Sequence, residues 1–102
     1  MTKRKPDNME IRHEDKITES LRKVCDNNYN ITEYAINGKR ESAICITERD
    51  GKWMVFQQER GVEHDIVECE TLLEACICFL IKLGKRSKRT ILINEFSDEL
   101  VK

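Results

Sequence analysis

Ser42-Ala43-Ile44-Cys45-Ile46-Thr47-Glu48-Arg49, the pair Asp50-Gly51, and Lys52-Trp53-Met54-Val55-Phe56-Gln57-Gln58-Glu59 decide the fold. Two runs rich in β-branched and aromatic residues flank an Asp-Gly step, a strong signal for a two-residue hairpin turn. Such a turn sets Arg49 opposite Lys52, Ile46 opposite Val55 and Cys45 opposite Phe56. Side chains alternate across a strand, so one face carries Ile44, Ile46, Trp53 and Val55, and the other Ala43, Cys45, Met54 and Phe56. Both faces are apolar. An antiparallel sheet wetted on one side alternates apolar with polar residues, so this sheet is either covered twice or offers one face to a partner.

Working outward, Asn37-Gly38 and Arg60-Gly61 repeat the turn signal on either side. They predict a first strand from Tyr29 to Ile36 and a fourth from Val62 to Cys69. Links this short leave no room for crossovers, so the expected sheet is an antiparallel four-stranded meander from Tyr29 to Cys69. By the same register Ile66 joins the Val55 face, while Asp65 and Val67 join the Phe56 face. The fourth strand is the least apolar, with Glu63, His64, Asp65 and Glu68 along it. Charge of that kind suits a sheet edge, where it discourages edge-to-edge pairing.

Two helices flank the sheet. From about Asn8 to Asp26, Ile17, Leu21, Val24 and Cys25 recur at helical spacing, Ile11 extends the stripe, and residues 1–7 read as a frayed lead-in. From Thr71 to Leu83 a wide stripe of Leu72, Leu73, Cys76, Phe79, Leu80 and Leu83 is joined by a second of Ala75, Cys78 and Ile81. A helix apolar nearly all round is buried nearly all round. Thr71 suits its N-cap, with Glu74 three residues on for a capping box, and Gly84 its end. Ser87 to Lys102 reads either as a short helix carrying Leu92, Ile93, Phe96 and Leu100, or as an edge strand over Thr90 to Ile93. A helix is favoured, because it would cover the second stripe. The expected core sets Ile46, Trp53, Val55 and Ile66 against Leu72, Cys76, Phe79 and Leu80.

The whole is one α+β domain spanning 1–102, since 102 residues leave room for a single modest core. Charged residues make up 36% and apolar ones 39%, gathered into periodic runs that a disordered chain would lack. A net charge of -1 provides no global attraction to nucleic acid or membrane. That balance hides segregation. Glu59, Glu63, Asp65, Glu68, Glu70 and Glu74 are interrupted only by Arg60; Lys82, Lys85, Arg86, Lys88 and Arg89 follow without an acid. The polar start, Met-Thr-Lys-Arg-Lys-Pro-Asp, is unlike a secretory leader, and no apolar run approaches the roughly 20 residues of a membrane span. Five cysteines, an odd number spread through apolar segments, argue against a disulfide framework and for a cytoplasmic chain with reduced thiols.

No catalytic or metal-binding constellation stands out. Cys76 and Cys78 point about 200° apart on a helix and cannot share one tetrahedral ion. His13 and His64 have no spacing that pairs them with Cys45 or Cys69, and the glycines are single turn or cap residues rather than a phosphate loop. The expectation is a chain with no catalytic residues, no metal and no cofactor. Helix, antiparallel strands and helix resemble the layout of double-stranded RNA-binding domains, which makes a small nucleic-acid-binding module the alternative reading. In those modules the second helix begins with lysines; here Glu70-Thr71-Leu72-Leu73-Glu74 would repel phosphate.

Trp53-Met54-Val55-Phe56-Gln57-Gln58-Glu59-Arg60-Gly61, a further strand, and then Leu73-Glu74-Ala75-Cys76 on a helix are similar to a group of small bacterial immunity proteins. Tyr34-Ala35-Ile36-Asn37-Gly38 fits their hairpin, so the likeness covers roughly Tyr34 to Leu83. Such proteins neutralise a cognate toxin domain of contact-dependent or other polymorphic toxin systems. The resemblance implies a cytoplasmic protein whose partner is that toxin domain, and it implies no catalytic site. Many such toxins are nucleases with basic substrate clefts. An acidic strand that mimics phosphate would bind such a cleft. The candidate toxin-binding residues are therefore Glu59, Arg60, Glu63, His64, Asp65 and Glu68, against the alternative that these acids only solubilise a sheet edge. The doubly apolar helix also leaves room for a homodimer. Membrane binding is not expected.

Overall fold

The structure, a computed structural model, describes residues 4–102, with side chains from residue 14 onward. Helix α1 (Arg4–Asn28) leads through a 3₁₀ turn (Ile31–Glu33) into β1 (Tyr34–Ile36), β2 (Ala43–Arg49), β3 (Lys52–Glu59) and β4 (Val62–Cys69). Helices α2 (Leu72–Ser87) and α3 (Ile93–Leu100) follow. The fold is α+β, with the four strands in one sheet in the order β1-β2-β3-β4. Of the expected lead-in, residues 1–3 lie outside the described residues and Arg4 onward is helical; Ile11 and His13 fall where side chains are not described.

The β2–β3 hairpin follows the register its turn dictates. Asp50 (φ 54°) and Gly51 (φ 80°) are both left-handed, and Arg49 pairs with Lys52, Ile46 with Val55 and Cys45 with Phe56. Arg60 (φ 52°) and Gly61 (φ 77°) turn β3 into β4 in the same way. Ile44, Ile46, Trp53 and Val55 are buried against the helices, and Ala43, Cys45 and Phe56 form a second, smaller cluster with Ala35 and Met54 on the opposite face.

The first strand departs from the expected meander. Asn37-Gly38 makes no hairpin, and β1 runs parallel to β2, with Tyr34 beside Ile44 and Ile36 beside Ile46. Most of the expected strand is taken by the 3₁₀ turn: Asn30 Oδ1 accepts from the Thr32 N–H at 3.0 Å and Glu33 Oε1 from the Asn30 N–H at 3.1 Å, an N-terminal cap that competes with extension. Two left-handed residues, Asn37 (φ 64°) and Ser42 (φ 61°), then reverse the chain twice. The Asn37 N–H donates to Ile46 O at 2.7 Å, the Ser42 N–H to Gln58 O at 2.8 Å, and Arg40 Nε to Tyr34 O at 3.2 Å. A parallel pair ordinarily needs a long crossover. Residues 37–42 suffice because β1 is three residues long, so the link retraces only about 10 Å.

A bulge corrects the fourth strand. Val55 pairs with Val67 and Gln57 with His64, so Phe56 alone faces both Asp65 and Ile66, and Asp65 is left-handed (φ 52°). One extra residue inverts the parity of everything beyond it. Val67 therefore packs towards the helices, while Ile66, expected in the core, is 50% exposed.

The helices cover one face of the sheet. Leu72, Ala75, Cys76, Phe79, Leu80 and Leu83 of α2 meet Ile17, Leu21, Val24 and Cys25 of α1 and the sheet. Thr71 Oγ1 accepts from the Glu74 N–H at 3.2 Å, as an N-cap should. Gly84 does not end α2. The helix runs to Ser87 and closes at Lys88 (φ 58°), while Gly84 is buried inside it because a Cβ there would meet Ile91 Cγ1 at 2.9 Å and Arg89 O at 3.3 Å. The tail is helical, but α3 packs chiefly along α1 through Phe96. It does not cover the second stripe of α2: Cys78 and Ile81 stay half-buried at an open groove.

Candidate functional site

Strand β4 is one of the two edges of the sheet, and among the described residues β3 is the one strand that pairs with it. The six residues singled out from the sequence lie on or beside this edge, in three separate settings.

Glu63 faces away from the helices. The Arg49 guanidinium donates to it twice, Nη1 to Oε1 at 3.1 Å and Nη2 to Oε2 at 2.8 Å, and Lys39 Nζ stands 2.8 Å from Oε2. Both cations also lie over the Phe56 ring, Arg49 Cζ at 5.6 Å and Lys39 Nζ at 5.9 Å from its centre. This charged lid, and not a second layer of helices, covers the other apolar face and keeps Phe56 fully buried. The bidentate Arg49 contact, with Lys39 beside it, holds the Glu63 carboxyl down at about 2. Glu63 thus supports the sheet and is spoken for within the chain.

Glu59 is held on the helix side. Its Oε2 accepts from Arg86 Nη1 at 2.8 Å and Gln57 Nε2 at 3.2 Å, and Arg86 Nη2 also donates to Ser42 O at 3.0 Å. The Arg86 contact lowers its pKa. This bridge ties the end of α2 to the β3–β4 turn, where Arg60 projects into solvent.

Asp65, His64 and Glu68 are the exposed remainder. Glu68 pairs with Lys52 at 3.1 Å, and Glu70 meets the same ammonium at 3.3 Å, which raises the Lys52 pKa chiefly through Glu68. Asp65, thrust out by the bulge, stands at the lip of a groove of about 630 Å³ between α2 and the sheet. Gln57 and Ile44 form its floor, and Glu74, Ile77, Ile81 and Lys82 are among the α2 residues along its wall. Exposed Val62 (53%) and Ile66 (50%) lie on the same edge strand. Sequence reasoning missed both, having no signal for the bulge beyond a run of acids. It also passed over Ile77, whose place outside both apolar stripes of α2 was the available clue.

Burial raises the thiol pKa of every cysteine, Cys78 on the groove wall included. All five cysteines are free, and burial pushes Cys25 and Cys76 each up to about 12. Among the described residues no group of three or more His, Cys, Asp or Glu is placed to hold a metal, and no helix is long and apolar enough to cross a membrane. For binding, the edge offers two exposed aliphatic side chains, Val62 and Ile66, and a fringe of exposed carboxylates. No protein-family profile, curated protein or solved structure matches the chain.

Proposed function

We propose that this chain is a cytoplasmic immunity protein that neutralises a cognate toxin domain, of the nuclease kind, by occupying its basic substrate cleft with the β4 edge. The observation that carries the reading is the composition of that edge. Val62 and Ile66 supply apolar contact, while Asp65 and Glu68, with Glu70 and Glu74 beyond the strand, supply exposed negative charge. Exposed apolar side chains interspersed with acids on one strand suit a protein interface, and the charge speeds encounter with a basic cleft. Arg60 and His64 stand beside this surface, while Glu59 and Glu63 are braces that hold it in shape.

The test is growth of a bacterial host expressing the toxin domain encoded beside this chain. Co-expression of the chain is expected to restore growth, and the Asp65→Asn, Glu68→Lys double variant to restore it poorly while folding normally. Full protection by the variant contradicts the proposed edge; no protection by the parent contradicts the role. Salt-sensitive retention on RNA in place of protection supports the nucleic-acid-binding alternative.

A further inference from the structure

The side of α2 that borders the open groove carries a row that is complementary to itself. Glu70, Glu74, Ile77, Ile81, Lys85 and Lys88 follow one another in steps of three or four residues, the spacing that aligns side chains along one side of a helix. Glu70 stands just before the first turn and Lys88 at the C-cap; the four between them lie on the helix. Glu70, Glu74, Lys85 and Lys88 are exposed, Ile77 is 38% exposed, and Ile81 is half-buried. None of the six belongs to the stripe that α2 buries in its own core. The order along the row is two acids, two isoleucines and two bases.

We propose that two copies of this chain associate through this face, with their α2 helices packed antiparallel about a two-fold axis passing between Ile77 and Ile81. That axis sets Ile77 of one copy against Ile81 of the other, twice over. It brings Glu74 near the second copy's Lys85 and Glu70 near its Lys88, again twice. A parallel arrangement would oppose acid to acid and base to base, so the order of charges selects the antiparallel one. A two-fold interface must be made of a patch that complements itself, and this row does so in both charge and apolar content. The antiparallel pairing also sets the helix dipoles head to tail. The inference does not rest on the toxin reading, although the two surfaces adjoin: Glu74 lines the groove that Asp65 borders, and Glu70, which meets Lys52 within the chain, would exchange that partner for Lys88 of the second copy.

The experiment is sedimentation equilibrium of the full chain over a wide concentration range. The expected result is a concentration-dependent rise from 12.0 kDa towards twice that mass. E74K and K85E, both at exposed positions, are each expected to weaken self-association about tenfold or more, because each opposes like charges across the axis. Mixing the two variants in equal amounts sets opposite signs at both repeated contacts of the mixed dimer, Lys against Glu each time, so the mixture is expected to associate more tightly than either variant alone. Circular dichroism of each variant checks that the fold is kept. A parent that stays at 12.0 kDa throughout overturns the proposal. So does a dimer insensitive to both substitutions, or a mixture no tighter than its components. If the same substitutions instead weaken binding of a toxin domain to a monomeric chain, the face belongs to that partner and the dimer is refuted.

Discussion

Glu63 shows how one carboxylate changes meaning between sequence and structure. In the sequence it is one acid in a row; in the fold it is gripped by Arg49 and Lys39 above Phe56. Its carboxyl is held at about 2, below its ordinary 4.5. A depressed acid contributes stability that is fully present above the unfolded value and is lost as pH falls through the folded one. The parent is therefore expected to be more stable than Glu63→Gln by a constant margin above about pH 5, shrinking as pH falls towards 2. Urea midpoints of the two proteins across that range check it, and a margin independent of pH would mean that Glu63 carries no special load. Asp65 makes the complementary point. Its left-handed backbone costs little for a short polar side chain, and the bulge it forms carries Ile66 out of the core and onto the edge.

At the scale of elements, α2 sets Leu72, Ala75, Cys76, Phe79, Leu80 and Leu83 in the main core. Phe79 is fully buried where α2 crosses the sheet, and Phe79→Ala is expected to cost about 3–5 kcal/mol through the cavity it leaves. A urea midpoint unchanged from the parent would mean that the helix packs elsewhere. The β2–β3 hairpin, α2 with its Thr71 cap and the α1 stripe were legible from the sequence because each is set by local rules: a turn dipeptide, an apolar period, a cap. The parallel β1 and the bulge were not. Asn37-Gly38 is a hairpin signal overridden by non-local hydrogen bonds, from Asn37 to Ile46 and from Ser42 to Gln58. One inserted residue in β4 is invisible to a pattern of period two until its pairing is seen. The candidate edge was legible as acidic, but its division into braces and exposed residues depended on which acids meet a base across the sheet.

At the scale of the molecule, the extents of 42 × 31 × 20 Å describe one sheet and one layer of helices. Among the described residues no second helical layer covers the far face, and the Arg49–Glu63–Lys39 lid closes its small apolar cluster. The free β4 edge is left as the mixed apolar and acidic surface on which the proposed role depends. The most direct measurement is a calorimetric titration of the toxin domain that the proposed role requires a neighbouring gene to encode, with the parent and with the Asp65→Asn, Glu68→Lys variant. The account predicts one toxin domain per chain, an affinity that falls with rising salt, and at least about tenfold weaker binding by the folded variant. Absence of a complex, or a variant that binds as tightly as the parent, would contradict it.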